Sequence, residues 1–445
     1  MTISFLTLFF GLITGSYPVE IAVNGPAAAV ELTVDDRASA RLPGPPWKAK
    51  IDFGHELAPH RIVARALDAE GKELSRAEEW ANLPHPLTKV EILLETVKGS
   101  VPRAAKIVWT NLQGETPESM AMTFDGAPLK LDKSGRAELP AHDLKSIHVL
   151  NAEVRFSALR TVRRDLAYGG EYGSEVSTEL TGVPLRVRSG RLPPPEKLAG
   201  WLTQGGRPLA VAAVEEGPAQ LFVVRVPSGD EVAHKMGSRG LKVRNDRYNL
   251  QLGRDDETRF VQPVPQRVEG SGTQSDLFDV SPVYTARDGG LPYAIRSLGR
   301  LRILWALTDV PQEPRIADAV AVAGLSAMTE NRRRAVLLLL DGNETRDASR
   351  YGAETVRRFL ASIRVPLYVW TLSPPAAGSL ASAWGPTQDV QSTSGVAAAV
   401  AALRRDLDSQ RIVMVDGRHL PQSIQLGPPA QGVELVAGAA PQGPS

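Results

Sequence analysis

Apolar and polar positions alternate along the first part of the chain, in short runs broken by turns. Val19–Val23, Val30–Val34, Lys48–Phe53 and Arg61–Leu67 carry this period-two pattern, as a strand with one buried face requires. Asn24-Gly25-Pro26, Gly44-Pro45-Pro46 and Ala69-Glu70-Gly71 separate the runs. The spacing predicts a small β-sandwich over residues 17–86, with Trp47 in its core. The grammar returns in Val90–Leu94, Lys106–Trp109, Ala121–Phe124, His148–Leu150 and Val154–Phe156, with hairpin turns at Asp125-Gly126 and Lys133-Ser134-Gly135. It predicts a second β-sandwich over 87–192, followed by a stiff linker at Pro193-Pro194-Pro195.

After residue 205 the pattern changes. Leu221–Val226, Leu301–Leu307, Ala335–Leu340 and Val365–Leu372 are unbroken apolar runs, the mark of strands covered on both faces. Arg315–Met328, Glu354–Ile363 and Ala397–Leu407 carry helical spacing between or after them. Strands alternating with helices predict a doubly wound, mostly parallel sheet over 205–426. Trp305, Tyr368 and Trp370 fall within its strands and are assigned to the core. The Gly/Pro/Ala-rich segment 427–445 is expected to be a loose tail.

One N-terminal run stands apart. Ile3–Ile13 is apolar and uncharged, and at about 1.5 Å per residue it is too short to cross a bilayer. Followed by Thr14, Gly15 and Ser16, it reads as a secretion signal over 1–16, cut at Ser16–Tyr17, although no Lys or Arg precedes it. The other use for such a run is a buried first strand. As a signal it would make the protein secreted or periplasmic, and no other stretch is long enough to span a membrane.

Composition narrows the chemistry. The 445 residues are 42% hydrophobic and 23% charged, enough apolar content for several cores. Lys+Arg (51) against Asp+Glu (50) leaves a net charge of +1, so no global field favours nucleic acid or anionic membrane. Arg332-Arg333-Arg334 and Arg404-Arg405 read as solvated faces. The lack of cysteine removes disulfides, thiol nucleophiles and thiolate metal sites.

Ala335–Leu372 resembles the second half of a von Willebrand factor type A domain: a buried strand ending Leu340-Asp341-Gly342, then a helix, then another strand. Arg315–Val320 looks like the helix after that family's threonine loop. Gln410–Leu426 is similar to the ending of a divergent bacterial, type A-related subset. The order of these parts carries the resemblance, and it does not reach the two β domains, which read as immunoglobulin-like. It implies Mg²⁺ or a similar ion held by an Asp-x-Ser-x-Ser loop, a Thr and an Asp. Asp341 stands at the last position, but Pro227–Glu231 lacks the serine motif and Pro314 falls where the threonine belongs. Asp279-Val280-Ser281 has Val283 in place of the second serine. The implied metal site is therefore degenerate, with Asp341 its one surviving ligand.

The expected function is an exported, non-enzymatic protein-binding module of adhesion type. Its surface would lie at the sheet's C-terminal edge and involve Asp341, Asn343, Glu344 and Trp384. Trp384, in Ala383-Trp384-Gly385-Pro386, has two readings: an exposed anchor, or a plug folded over the sheet edge. An exported hydrolase with a dispersed acidic site and a structural envelope spacer are the alternatives. His55-Glu56 and His60 lack metalloprotease spacing, Gly324-Leu325-Ser326 lacks the second glycine of a nucleophile elbow, and His234 and His419 are isolated.

Overall fold

In the N-terminal region the alternation becomes burial. The computed structural model describes residues 2–7, 9, 11–84, 88–95, 101–111, 116–157, 160–169, 172–176, 180–188, 192–225, 252–267, 274–281, 283–285, 313–329, 331–340 and 346–436. Contact clustering divides the chain into two units: Met1–Pro84 with Thr181–Val415 and His419–Ser445, and His85–Leu180 with Asp416–Arg418.

The first unit begins with β1 (Thr2–Phe5), β2 (Ser16–Asn24), β3 (Ala29–Val34), β4 (Arg37–Leu42), β5 (Lys48–Asp52), β6 (His60–Leu67) and β7 (Glu73–Ala81). They form two sheets, β1-β2-β5 and β4-β3-β6-β7. Ile21, Val30, Leu32, Ile51 and Ile62 meet between them, with Trp47 partly buried alongside.

Three described residues of the apolar run Ile3–Ile13 belong to this core, whereas Leu6 is 57% exposed. Thr2–Phe5 pairs antiparallel with Ile21–Asn24, and Ile3, Phe9 and Ile13 are buried in the same cluster. The Asn82 amide accepts the Ile13 N–H at 2.7 Å and donates to the carbonyls of Ile13 and Ala58 at 2.8 and 2.7 Å. In this structure the run supplies a first strand and three buried side chains. The expected cut at Ser16–Tyr17 falls at the start of β2 and would remove all of these contacts.

The second unit contains β8 (Thr88–Glu95), β9 (Ala104–Asn111), β10 (Ser119–Phe124), β11 (Ala127–Leu129), β12 (Arg136–Glu138), β13 (Ile147–Ser157), β14 (Arg160–Gly169) and β15 (Tyr172–Val176). Its sheets, β12-β9-β8 and β11-β10-β13-β14-β15, repeat the first sandwich strand for strand, with β15 added at the edge. Here β8 holds the place that β1 holds in the first. A side-chain clasp is repeated too. Asp35 and Asp125 both sit in tight turns at positive φ, 49° and 48°. Asp35 accepts from Arg61 N–H and pairs with His60 Nδ1 at 2.7 Å. Asp125 accepts from Val149 N–H and pairs with His148 Nδ1 at 2.7 Å. The other ring nitrogen of His148 faces the Asp143 carbonyl at 2.8 Å.

A third sandwich is split in sequence. β16 (Leu180–Val187), β17 (Leu202–Gln204), β18 (Arg207–Pro208) and β19 (Val211–Glu215) precede the α/β domain. The α/β domain has strands β20 (Gln220–Arg225), β21 (Glu257–Arg267), β22 (Gln274–Val280), β23 (Arg334–Leu340), β24 (Leu367–Thr371) and β25 (Gln388–Asp389). Its helices are α1 (Ile316–Met328), α2 (Ala353–Ser362), α3 (Leu380–Ala383) and α4 (Thr393–Ser409). β26 (Gln410–Asp416), β27 (Ile424–Leu426) and β28 (Val433–Leu435) then return to complete the sheets β19-β26-β16-β28 and β18-β17-β27.

Three expectations are corrected by this arrangement. The boundaries at 192 and 205 cut through a single sandwich, because Leu202–Gln204 pairs with Ile424–Leu426 and Val211–Glu215 with Ile412–Val415. Gln410–Leu426 is sandwich rather than the end of the α/β domain. Val433–Leu435, within the expected loose tail, pairs with Leu185–Val187. Gly182 marks how closely the sandwich and the α/β domain pack: a Cβ there would lie 2.5 Å from Asn331 Oδ1.

The α/β sheet runs β22-β21-β20-β23-β24-β25, parallel throughout except for antiparallel β22 at its edge. Helices cover both faces. Phe222, Val224, Val336, Leu338 and Leu340 pack with α1 and α2. Leu221, Val223, Leu337, Leu339 and Trp370 pack with α4. The doubly wound class is thus observed, while the expected strand Leu301–Leu307 lies outside the described residues. Arg334, expected on a solvated face, is the buried first residue of β23. Arg333 turns inward to the carbonyls of Gly217 and Leu407, whereas Arg404 and Arg405 are exposed.

The packing of the first sandwich and the clasp of the second can each be tested. Phe9→Ala lowers the stability of the first sandwich by about 3–5 kcal/mol in urea unfolding, because the ring is 2% exposed; a cost below about 1 kcal/mol would remove the N-terminal run from the core. His148 titrates above 6.5, raised by its Asp125 bond, against burial, and then by the Asp143 carbonyl. Burial opposes ionisation of Asp125, but the bonds from His148 and Val149 outweigh it and hold Asp125 below 3.8. The His148 contribution is complete below pH 6.5 and is lost as pH rises through its folded value, while that of Asp125 is lost as pH falls through its own. Ring-proton NMR of His148 and urea midpoints across pH show this, and His148→Gln removes the alkaline fall.

Candidate functional site at the carboxyl ends of the parallel strands

In an open α/β sheet the crevice for a ligand lies beyond the carboxyl ends of the strands, where the strand order reverses. Here that point is between β20 and β23. Their ends are Arg225 and Leu340, both buried, and burial pushes the Arg225 guanidinium below its ordinary value.

The N-terminus of α1 stands at the same end and is closed by the chain that follows β23. The Asp347 carboxylate accepts the N–H groups of Ile316 and Ala317 at 2.9 and 3.3 Å, and Ser349 Oγ accepts that of Asp318 at 3.2 Å. Free helix N–H groups and the positive end of the dipole thereby find their partners within the protein. Asp318, 1% exposed, is saturated. Arg315 reaches it with Nε at 2.7 Å and Nη2 at 2.6 Å, and the N–H groups of Arg350 and Tyr351 donate at 2.9 and 3.2 Å. Tyr351 then donates from its hydroxyl to the Leu12 carbonyl at 3.1 Å. Residues 346–351 are therefore locked onto α1, as β23 is locked into the sheet. The segment 341–345 joins these two fixed points.

Asp341, Asn343 and Glu344 belong to that joining segment and lie outside the described residues. Trp384 is described and is a plug rather than an exposed anchor. It is 2% exposed and packs in the α1/α2 core with Leu338, Phe359 and Val369. The short α3 carries it inward, and its backbone N–H donates back to the Ala381 carbonyl at 3.2 Å. The Arg357 guanidinium lies over Gly385, where a Cβ would meet its carbon at 2.9 Å.

The Mg²⁺ that the type A resemblance implies does not fit the described donors. Pro314 offers a carbonyl that already accepts Ala348 N–H at 2.8 Å, and the carboxylates of Asp318 and Asp347 are spent on guanidinium and backbone. Ser281 Oγ accepts from Phe260 N–H at 2.9 Å. Among the described residues no group of three His, Cys, Asp or Glu is arranged to hold a metal ion.

The Arg315–Asp318–Asp347 lock has little signature in the sequence. Its traces in the sequence are an Arg and an Asp three apart at a helix start and the Asp347-Ala348-Ser349 turn, both too common to single out alone.

No family model matches the chain and no curated protein matches it. Solved structures do overlap with parts of it. The fibronectin(III)-like modules of Clostridium thermocellum CbhA cover 38% of this chain and 93% of their own at 13% identity and a TM-score of 0.15. The central fibronectin-III array of RIM-binding protein covers 43% and 80% at 11% identity and 0.21. The human COPII-coat protein Sec24c covers 53% and 46% at 10% identity and 0.28. TM-scores this low establish no shared fold over the whole chain.

Trp384→Ala lowers the stability of the α/β domain by about 3–5 kcal/mol in urea unfolding. A change below about 1 kcal/mol would return Trp384 to the surface.

Proposed function

We propose that the protein is a non-enzymatic binding module. Its α/β domain, of von Willebrand factor type A-related character, would present a protein-binding surface at the carboxyl ends of β20 and β23. The observation that carries this reading is the anchoring of 341–345 between the buried end of β23 and the clamp of 346–351 on α1. The residues on either side of 341–345 are held in place, and a partner that binds Asp341, Asn343 and Glu344 between such fixed flanks would meet a low ordering cost. Asp341 then acts as a carboxylate toward the partner rather than as a metal ligand. A chain that combines β-sandwiches with an α/β domain suits a modular role. An exported location belongs to this reading only if Ile3–Ile13 serves as a signal, and the burial of that run favours its use as a strand.

A photo-reactive residue placed at Asn343 in the full-length protein, with the same probe at exposed Arg404 on α4 as control, tests the surface. One defined cross-linked partner from position 343, competed by unlabelled protein and lost with Asp341→Lys, supports the reading. Cross-linking equally strong from 404, or unaffected by Asp341→Lys, overturns it.

A further inference from the structure

The opposite end of the same sheet holds a buried charge that has no hydrogen-bond partner among the described residues. Arg334 opens β23 and is 1% exposed. It alternates with Val336 and Leu338 toward the α1/α2 face. Its backbone N–H donates to Gln410 Oε1 at 3.0 Å. Among the described residues, its Nε, Nη1 and Nη2 have no hydrogen-bond partner. Removing a guanidinium from water with none of its donors paired costs far more than the packing of its stem returns.

The surroundings sharpen the problem. Gln220 lies across the ladder from Arg334. It is also 1% exposed, and its Oε1 likewise has no partner among the described residues, while its Nε2 donates to Glu257 at 3.3 Å. Arg364 stands nearby, brought there by the strand pairing that sets Val336 N–H on the Pro366 carbonyl at 2.9 Å. It is fixed in place, with Nε donating to the Pro421 carbonyl at 2.9 Å and Nη2 to that of Ile424 at 2.6 Å. Arg364 takes the left-handed position that ends α2, at φ 56°, with Val365 N–H bonded back to Leu360 and Arg364 N–H to Ala361. That position favours glycine, so an arginine there keeps its guanidinium at a conformational cost. Burial and then the charge of Arg364 push Arg334 down to about 10, still far above neutral pH. Two full charges therefore persist. The nearby helix ends carry only about half a charge each.

We propose that Arg334, Arg364 and Gln220 line a buried site for a small, singly protonated oxyanion of the hydrogen-phosphate type. Guanidinium groups match the spacing of oxyanion oxygens, and the Gln220 carbonyl accepts the O–H that such an ion carries and sulfate and chloride lack. At 1% exposure Arg334 is out of reach of the side chain of a macromolecular partner, so the ligand proposed is a small free ion. The site lies at the amino ends of the strands, away from the proposed protein-binding surface, and does not depend on it. Its role is to stabilise the sheet wherever the ion is abundant.

Thermal melts of the full-length protein at constant ionic strength test this, with inorganic phosphate, sulfate or chloride in the low-millimolar range. Phosphate raises the melting temperature by about 3 °C or more, and sulfate and chloride by much less. Arg334→Met abolishes the phosphate response, while Asp341→Lys keeps it. If Arg334→Met does not fold, Gln220→Met serves as the second variant and narrows the gap between phosphate and sulfate. A wild-type melt indifferent to phosphate overturns the site. So does a full phosphate response surviving in Arg334→Met, or an equal gap surviving in Gln220→Met.

Discussion

Burial of β23 on both faces is the constraint from which the rest of the α/β domain follows. All seven residues from Arg334 to Leu340 are buried. Val336, Leu338 and Leu340 need one layer of helices, and Ala335, Leu337 and Leu339 need another. Parallel neighbours on both sides satisfy the backbone, Gln220–Arg225 on one flank and Leu367–Thr371 on the other. The helices must then cross the faces, which fixes where their ends lie and where the two ends of β23 emerge. One end leads into 341–345 and the lock on α1. The other carries Arg334 into the interior.

The strength of these runs made the α/β domain legible. Ala335–Leu340 and Val365–Leu372 are continuous, and the helical spacing of Arg315–Met328 is strong. What was not legible was pairing between distant segments. Leu202–Gln204 pairs with Ile424–Leu426 across more than two hundred residues, and local alternation carries no trace of a partner that far away. The third sandwich was therefore divided between its neighbours. Arg334 shows a related limit: three consecutive arginines suggest a solvated face, whereas the start of a buried strand draws the third one inward. Trp384 illustrates the limit for the site, since Ala383-Trp384-Gly385-Pro386 is compatible with a loop tip and with a plug. Only the fold distinguishes them.

The N-terminal half shows one topology built twice from different sequences. Ile3–Ile13 has the apolarity of a secretion signal and equally that of a strand with its following turn. In the second sandwich Thr88–Glu95 supplies the same edge of the same sheet, the place that Thr2–Phe5 takes in the first. The shared Asp–His clasp at Asp35–His60 and Asp125–His148 ties the two modules further, since it depends on matched turns and not only on matched strand order.

Hydrogen exchange measured by mass spectrometry over the full-length chain tests this organisation most directly. If β23 is the centre of the domain, its amides and those of β20 and β24 exchange slowest, at rates set by global unfolding. The amides of Thr2–Phe5 exchange slowly too, together with β2. Rapid exchange in Arg334–Leu340 under native conditions, with the sandwiches still protected, would contradict it.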